Sequence, residues 1–198
     1  MKLIKQIISA FTCFTAVLLS MQCAFAVEAQ LTQAYPELQR SSVVVVTGPE
    51  FKPGAETVYF WADSHADISG ALENSDMNVK KIIDEGIRKT LQDKGYSFNQ
   101  SKEKNILIKY HVSLASEMDD MSLAMHYGLA PGLHANNAET RKYEKGTLVV
   151  DLINEVNNAI IWRGAIAVFT GIEDSDAARQ QRVNGLMTEL FSSIPPVR

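Results

Sequence analysis

Both cysteines of the 198-residue chain, Cys13 and Cys23, fall within its first 26 positions. Whatever folds beyond them does so with no disulfide, no thiolate metal site and no cysteine nucleophile, on the strength of an apolar core. Those 26 residues begin Met1-Lys2-Leu3-Ile4-Lys5, run through an apolar stretch from Ile7 to Leu19, and close on Ala24-Phe25-Ala26 before the polar Glu28-Ala29-Gln30. A basic start, a short apolar middle and an Ala-x-Ala exit predict a secretory signal peptide over 1–26, cleaved behind Ala24 and Ala26. The apolar stretch is about 13 residues, short of the roughly 20 that a bilayer-spanning helix takes. Cleavage leaves 172 residues, and the loss of Lys2 and Lys5 moves the formal net charge from −4 to −6. That balance excludes a basic nucleic-acid binder. No later stretch reaches 18 continuous apolar residues, so no transmembrane helix is predicted in the mature chain.

The expected destination is the periplasm. The alternative is an outer-membrane lipoprotein anchored through Cys23, with peripheral membrane association as the result. Lipoprotein processing wants a small residue directly before the lipidated cysteine, and Gln22 stands there; the ordinary cleavage site just downstream fits better.

The mature length is one domain's worth, enough to bury about 70% of the unfolded surface. Residues 27–41 read as a polar leader and 42–198 as a single domain. Ser42 to Thr47, β-branched and closed by Gly48-Pro49, predicts a strand, as does Thr57 to Trp61. Asp63 to Asp76 is polar and reads as a loop. Val79, Ile82, Ile83, Ile87 and Leu91 recur at three- and four-residue steps, predicting a helix over about 77–94. Ser75 or Asp76 would cap it, Gly95 would stop it, and the pairs Lys81–Glu85 and Asp84–Arg88 would lie on its solvated face.

Tyr96 to Phe98 and Asn105 to Val112 read as strands flanking a turn at Ser101 to Lys104. Residues 113–142 lose periodicity and read as a long irregular flap, well beyond the usual loop of about 4–6 residues. Two strong strands follow, Gly146 to Ile153 and Ala159 to Thr170, then a helix over about 175–193 that buries Val183, Leu186, Met187, Leu190 and Phe191 before Pro195-Pro196. This order predicts an α+β fold: an antiparallel-dominated sheet of five to six strands with two helices packed on one face.

The register of the last hairpin has two solutions. A three-residue connection, Val156 to Asn158, sets Asp151 opposite Arg163 and puts Leu148, Val150 and Leu152 on one face with Trp162, Ile166 and Val168. A four-residue connection with Asn158 left-handed slips the pairing by one and separates Asp151 from Arg163. Apolar matching favours the first and the turn-forming Asn154 and Asn158 favour the second; the first is the expectation.

The hairpin string from Tyr143 to Ile153 and from Asn157 to Gly164 resembles the signature of the bacterial "domain of unknown function 4136" family. The layout around it is similar over residues 42–197: Tyr59-Phe60-Trp61 in a strand, a helix ending Leu91-Gln92-Asp93-Lys94-Gly95-Tyr96, a strand with Tyr110, and a closing helix into Ile194-Pro195-Pro196. The resemblance implies an exported envelope protein, commonly of lipoprotein type, and supplies no catalytic residues. The chain departs from the pattern at Gln22, at Asn154 where an acid is common, and at Ala159 where a lysine is common.

Candidate chemistry is sparse. Met118, Met121, Met125 and His126 would suit Cu(I) if they converged, since thioethers and imidazole are soft ligands; the plainer reading is gap-filling methionine at a core edge. Asp63, His65 and Asp67 would share a face if a strand continued through them, giving a hard-metal or general-base site with His111 or Asp119-Asp120 as further partners. The plainer reading is a polar loop bonding its own backbone. His111 reads as a half-buried strand residue and His134 as a loop residue, while Trp61 and Trp162 read as core or sheet aromatics. No Gly-x-Ser-x-Gly elbow, phosphate-binding loop or His-Glu-x-x-His helix is present. The expectation is a non-catalytic binding or accessory domain with no cofactor, whose partner is an envelope protein or a small ligand. The competing expectation is a weak metal-dependent or hydrolytic enzyme using residues 63–67.

Overall fold

In the computed structural model of the chain, residues 36–73, 78–98 and 104–197 are described. The signal segment with Cys13, Cys23, Ala24 and Ala26, the proposed caps Ser75 and Asp76, and most of the turn expected at 101–104 lie outside those residues. The chain divides into two units, Met1–Gln39 and Arg40–Arg198. Of the first, the single 3-10 turn Pro36–Gln39 is described; the second carries the sheet.

Six strands form that sheet: β1 (Ser41–Thr47), β2 (Thr57–Ile68), β3 (Ser97–Phe98), β4 (Lys104–Leu114), β5 (Lys145–Asn154) and β6 (Ile160–Phe169). Their spatial order is β1-β6-β5-β4-β2-β3. The pairs β1/β6, β6/β5 and β5/β4 are antiparallel, whereas β4/β2 and β2/β3 are parallel. The sheet is therefore mixed, which corrects the antiparallel-dominated expectation. The physical reason is the helix α2 (Val79–Asp93), which carries the chain back so that β4 lies beside β2 in the same direction. Ser97–Phe98 pairs with β2 and makes no hairpin with β4.

Beyond a single turn, α1 (Gly70–Glu73), the described residues form three helices and not two: α2, α3 (Asp120–Tyr127) and α4 (Asp176–Leu190). The first layer follows from strand alternation. Ile106, Ile108, Tyr110 and Val112 of β4, Leu148, Val150 and Leu152 of β5, and Trp162 and Ile166 of β6 pack in one core with Ile83, Ile87 and Leu91 of α2 and Met187 and Leu190 of α4. The opposite face carries a second, smaller core. There Leu123 of α3 and Leu129 meet Val149 and Ala165, with Val44, Met118, Tyr127 and Ala130 around them. The stretch 113–142, expected to be irregular, thus contains the end of β4, a helix and the 3-10 turn Thr140–Lys142.

α2 is capped by Asn78, whose Oδ1 accepts from Lys81 N at 3.0 Å, and stops at Gly95, whose φ of +90° only glycine adopts freely. α2 and α4 run in the same direction. Gln180 reaches Ile82 O at one end, and Tyr96 Oη donates to Pro195 O at 2.6 Å at the other. Gly86 allows the approach between them: a Cβ there would stand 3.0 Å from Met187 Cγ and 3.1 Å from Val183 Cγ1.

The hairpin resolves its register by combining both solutions. Asp151 lies opposite Arg163 and Leu152 opposite Trp162, yet Asn158 is left-handed at φ +56°. A bulge between Leu152 and Ile153 reconciles them, because Ile153 pairs with Ile160 and Ile161 is the extra residue.

Candidate functional site

The segment 63–67 is strand and not loop. β2 continues to Ile68, but between Trp61 and Ala66 it advances five residues while β4 advances two, from Ile108 to Tyr110. The irregularity, with Ser64 at φ +51°, shifts the alternation. His65 consequently joins the helix-covered face, and Asp67 falls on the opposite one. The trio Asp63, His65 and Asp67 does not converge, and Asp63 is exposed.

His65 stacks on Trp61, with ring centroids 4.6 Å apart, and its Nε2 lies 3.2 Å from Asp84 Oδ1. Lys80 Nζ donates to Asp84 Oδ2 at 2.6 Å and stands 3.0 Å from the same His65 nitrogen. Nε2 can accept from Lys80 when it carries no proton or donate to Asp84 when it carries one, a matter of the ring's tautomer, and cannot do both at once. Tyr110 Oη donates to Asp84 Oδ1 at 2.8 Å. Burial, and then Asp84, push the Tyr110 phenol far above its ordinary range. Asp84 is thus the hub of the cluster and does not pair with Arg88; Arg88 lies 5.7 Å from the Phe98 ring centre. These contacts among His65, Lys80, Asp84 and Tyr110 fasten β2 and β4 to α2.

On the second face, Asp67 Oδ2 meets His111 Nδ1 at 3.0 Å, and the His111 ring stacks on Tyr127 at 5.4 Å. Ser113 follows two residues along β4. The order Asp, His, Ser invites a nucleophilic reading, but His111 Nε2 and Ser113 Oγ are both buried without any hydrogen-bond partner, so they do not bond each other. Arg163 holds Asp151 with two bonds, Nε to Oδ1 at 2.5 Å and Nη2 to Oδ2 at 2.6 Å, and gives Nη1 to Tyr127 O at 2.7 Å. Its charge lies 5.3 Å from the Tyr127 ring centre. Burial, with Asp67 and Asp151 adding to it against Arg163, leaves the Tyr127 phenol pushed up to about 12.

The methionine cluster is dispersed. Met118 packs into the second core, while Met121 and Met125 project to solvent at 67% and 75% exposure. His126 is exposed and set a third of a turn away from Met125. Asp119 caps α3 by accepting from Ser122 N at 2.8 Å, which holds its carboxyl below the usual range, and Asp120 takes Lys145 Nζ at 2.5 Å. His134 is exposed. Among the described residues no group of three His, Cys, Asp or Glu could hold a metal ion, and no helix is long and apolar enough to cross a membrane.

What the residue types alone did not disclose is an apolar cavity of about 150 Å³ between α2, α4 and the sheet. Its walls include Ile82 and Ile83 of α2, Val183 and Leu186 of α4, and Leu148 and Val168 of the sheet. Arg179 and Arg182 of α4 and Glu173 of the β6–α4 connection stand among the lining residues. The available signal was an excess of apolar residues. Ile82, Val183 and Leu186 belong to the apolar faces read from the sequence, yet each is only half-buried, because each faces this space.

A family model described as "Domain of unknown function (DUF4136)" matches residues 50–196. No curated protein matches. Among solved structures, the chain is similar to a PelC dodecamer subunit from Paraburkholderia phytofirmans, with 10% identity and a TM-score of 0.47 over 80% of this chain and 99% of that one. It is also similar to a PDZ domain protein from Parabacteroides distasonis, with 12% identity and a TM-score of 0.42, covering 86% of this chain and 41% of that one.

Proposed function

The chain belongs to the DUF4136 family, and from that premise we propose that it is an exported, non-catalytic binding domain of the cell envelope whose ligand enters the cavity between α2, α4 and the sheet. The cavity carries this reading: a concave apolar space beside a few polar groups is the usual form of a small-molecule site. The non-catalytic part draws support from the polar clusters, where Asp84 is engaged by Lys80, Tyr110 and His65 and Arg163 by Asp151.

The test is methyl NMR of the mature chain exposed to the small-molecule fraction of an envelope extract. Shifts confined to methyls of Ile83, Val168, Val183 and Leu186 are the expected result. Shifts centred on the exposed Met121 and Met125, or none at all, would reject the cavity.

Export rests on the sequence pattern and has its own test. Mass spectrometry of the chain recovered from the periplasm should find an N-terminus at Val27. A chain beginning at Cys23 with added acyl mass would establish the lipid-anchored alternative, and an intact Met1 would refute cleavage.

A further inference from the structure

We infer that the cavity takes the hydrocarbon tail of an anionic single-chain amphiphile, with the head group held at the mouth by Arg179. The inference rests on the binding reading above and specifies its ligand.

The tail follows from the lining. Val168, Val183, Leu186 and Ile83 offer a ligand no hydrogen bond, and the nearby Thr170 hydroxyl is spent on Glu144 O at 3.0 Å. A polar group placed inside would lose its water partners without replacement. At about 150 Å³ the space matches apolar cavities that accept a six-carbon ring. It therefore holds about six carbons of a chain and leaves a longer one protruding.

The head follows from the two arginines, which differ in how they are held. Arg182 is fixed between Phe169 O, at 2.9 Å, and the Glu173 carboxylate, with both members of that ion pair nearly buried. Arg179 pairs with Asp176, whose side chain is 93% exposed. Arg179 itself is only 22% exposed, but its partner stands in solvent, so the guanidinium can exchange Asp176 for an anchored carboxylate that it grips in two-point fashion. The parallel course of α2 and α4 adds to this, because both N-terminal ends, at Val79 and Asp176, lie at the cavity end of the helix pair and favour negative charge. A cationic head would meet Arg179 and the same two helix ends, with Asp176, turned out to solvent, as its opposing carboxylate. Glu173 is already neutralised by Arg182.

The test is calorimetric titration of the mature chain with butanoate, hexanoate, octanoate and decanoate, alongside octan-1-ol and octylamine. Each added methylene should tighten binding about fourfold until about six carbons are buried, after which affinity levels off. Octanoate should bind about tenfold more tightly than octanol, with octylamine weakest. Arg179→Gln should bring octanoate to the octanol level and leave octanol unchanged, while Arg179→Lys, which keeps charge without the fork, should recover part of the difference. Val168→Phe, filling the cavity from the sheet, should abolish binding of both. Leu186→Phe fills it from α4, and thermal melts identify which filling variant is folded. Equal affinity for the three head groups, or indifference to Arg179→Gln, would overturn the head assignment. No alkyl binding while the envelope extract still shifts the cavity methyls would overturn the inference and leave the binding reading standing. Silence toward both would remove both.

Discussion

Trp162→Ala is expected to destabilise the domain by about 3–5 kcal/mol, the range for deleting a large buried aromatic. For a domain of this size the midpoint of thermal unfolding should fall by on the order of 10 °C. Trp162 is 1% exposed and stacks on Phe191 with ring centroids 5.3 Å apart and planes at 13°. Its Nε1 donates to Ser193 Oγ at 3.2 Å, which ties the turn after α4 to β6. The ring lies across Gly164, where a Cβ would fall 2.4 Å from Trp162 Cη2 and 2.8 Å from Leu190 Cδ1. Gly164→Ala should therefore also destabilise, by about 1–3 kcal/mol, because the indole must leave its rotamer. The two substitutions touch the same space, so in a Trp162→Ala background the added methyl at Gly164 should cost much less. Urea melts of the four proteins measure this. Additive losses would show that the indole does not rest on Gly164.

The parts of this fold legible in the sequence are those whose burial is one-sided and periodic. α2 buries Ile83, Ile87 and Leu91 along one stripe, and β5 and β6 alternate so cleanly that Leu148, Val150, Leu152, Trp162 and Ile166 declare their face. The parallel pairing of β2 with β4 left no such trace, because alternation records which side of a strand is buried and says nothing of its neighbour. The second half of β2 was hidden by the irregularity at 62–65, which puts His65 and Ala66 on one face in succession and interrupts the period of two. α3 was hidden for another reason. It buries Leu123 alone, so eight residues carry no apolar stripe, and its position is set by the cap at Asp119 and the left-handed Gly128.

The candidate sites show the same division. Residues close in sequence, such as Asp63, His65 and Asp67, were separated by the sheet, while Asp84, Tyr110 and Lys80 were brought to His65 from α2 and β4. Pairings of that kind depend on the parallel crossover that the strand pattern left open. The cavity is a property of the space between two helices, and the half-burial of Ile82, Val183 and Leu186 that marks it exists only once those helices are placed.

Asp151→Ala should cost about 2–3 kcal/mol, somewhat under the 3–5 kcal/mol for breaking a fully buried pair, because the side chains of Arg163 and Asp151 are 19% and 13% exposed. The hydrogen bond from Arg163 to Asp151 pushes the guanidinium's pKa further up, with burial opposing. Without Asp151 the charge therefore persists, beneath α3 and short of its two-point partner. Arg163 also holds the carbonyl of Tyr127 at 2.7 Å, at the end of α3. Backbone amides from Leu123 to Tyr127 should then exchange faster with solvent in the variant, while those of Ile83 to Leu91 in α2 should change only by the global loss. The double variant Asp151→Leu, Arg163→Met removes both charges and keeps apolar bulk, and its stability should return to within about 1 kcal/mol of the parent. A double variant as unstable as Asp151→Ala alone would mean that the pair itself, and not the stranded charge, holds α3 on the sheet.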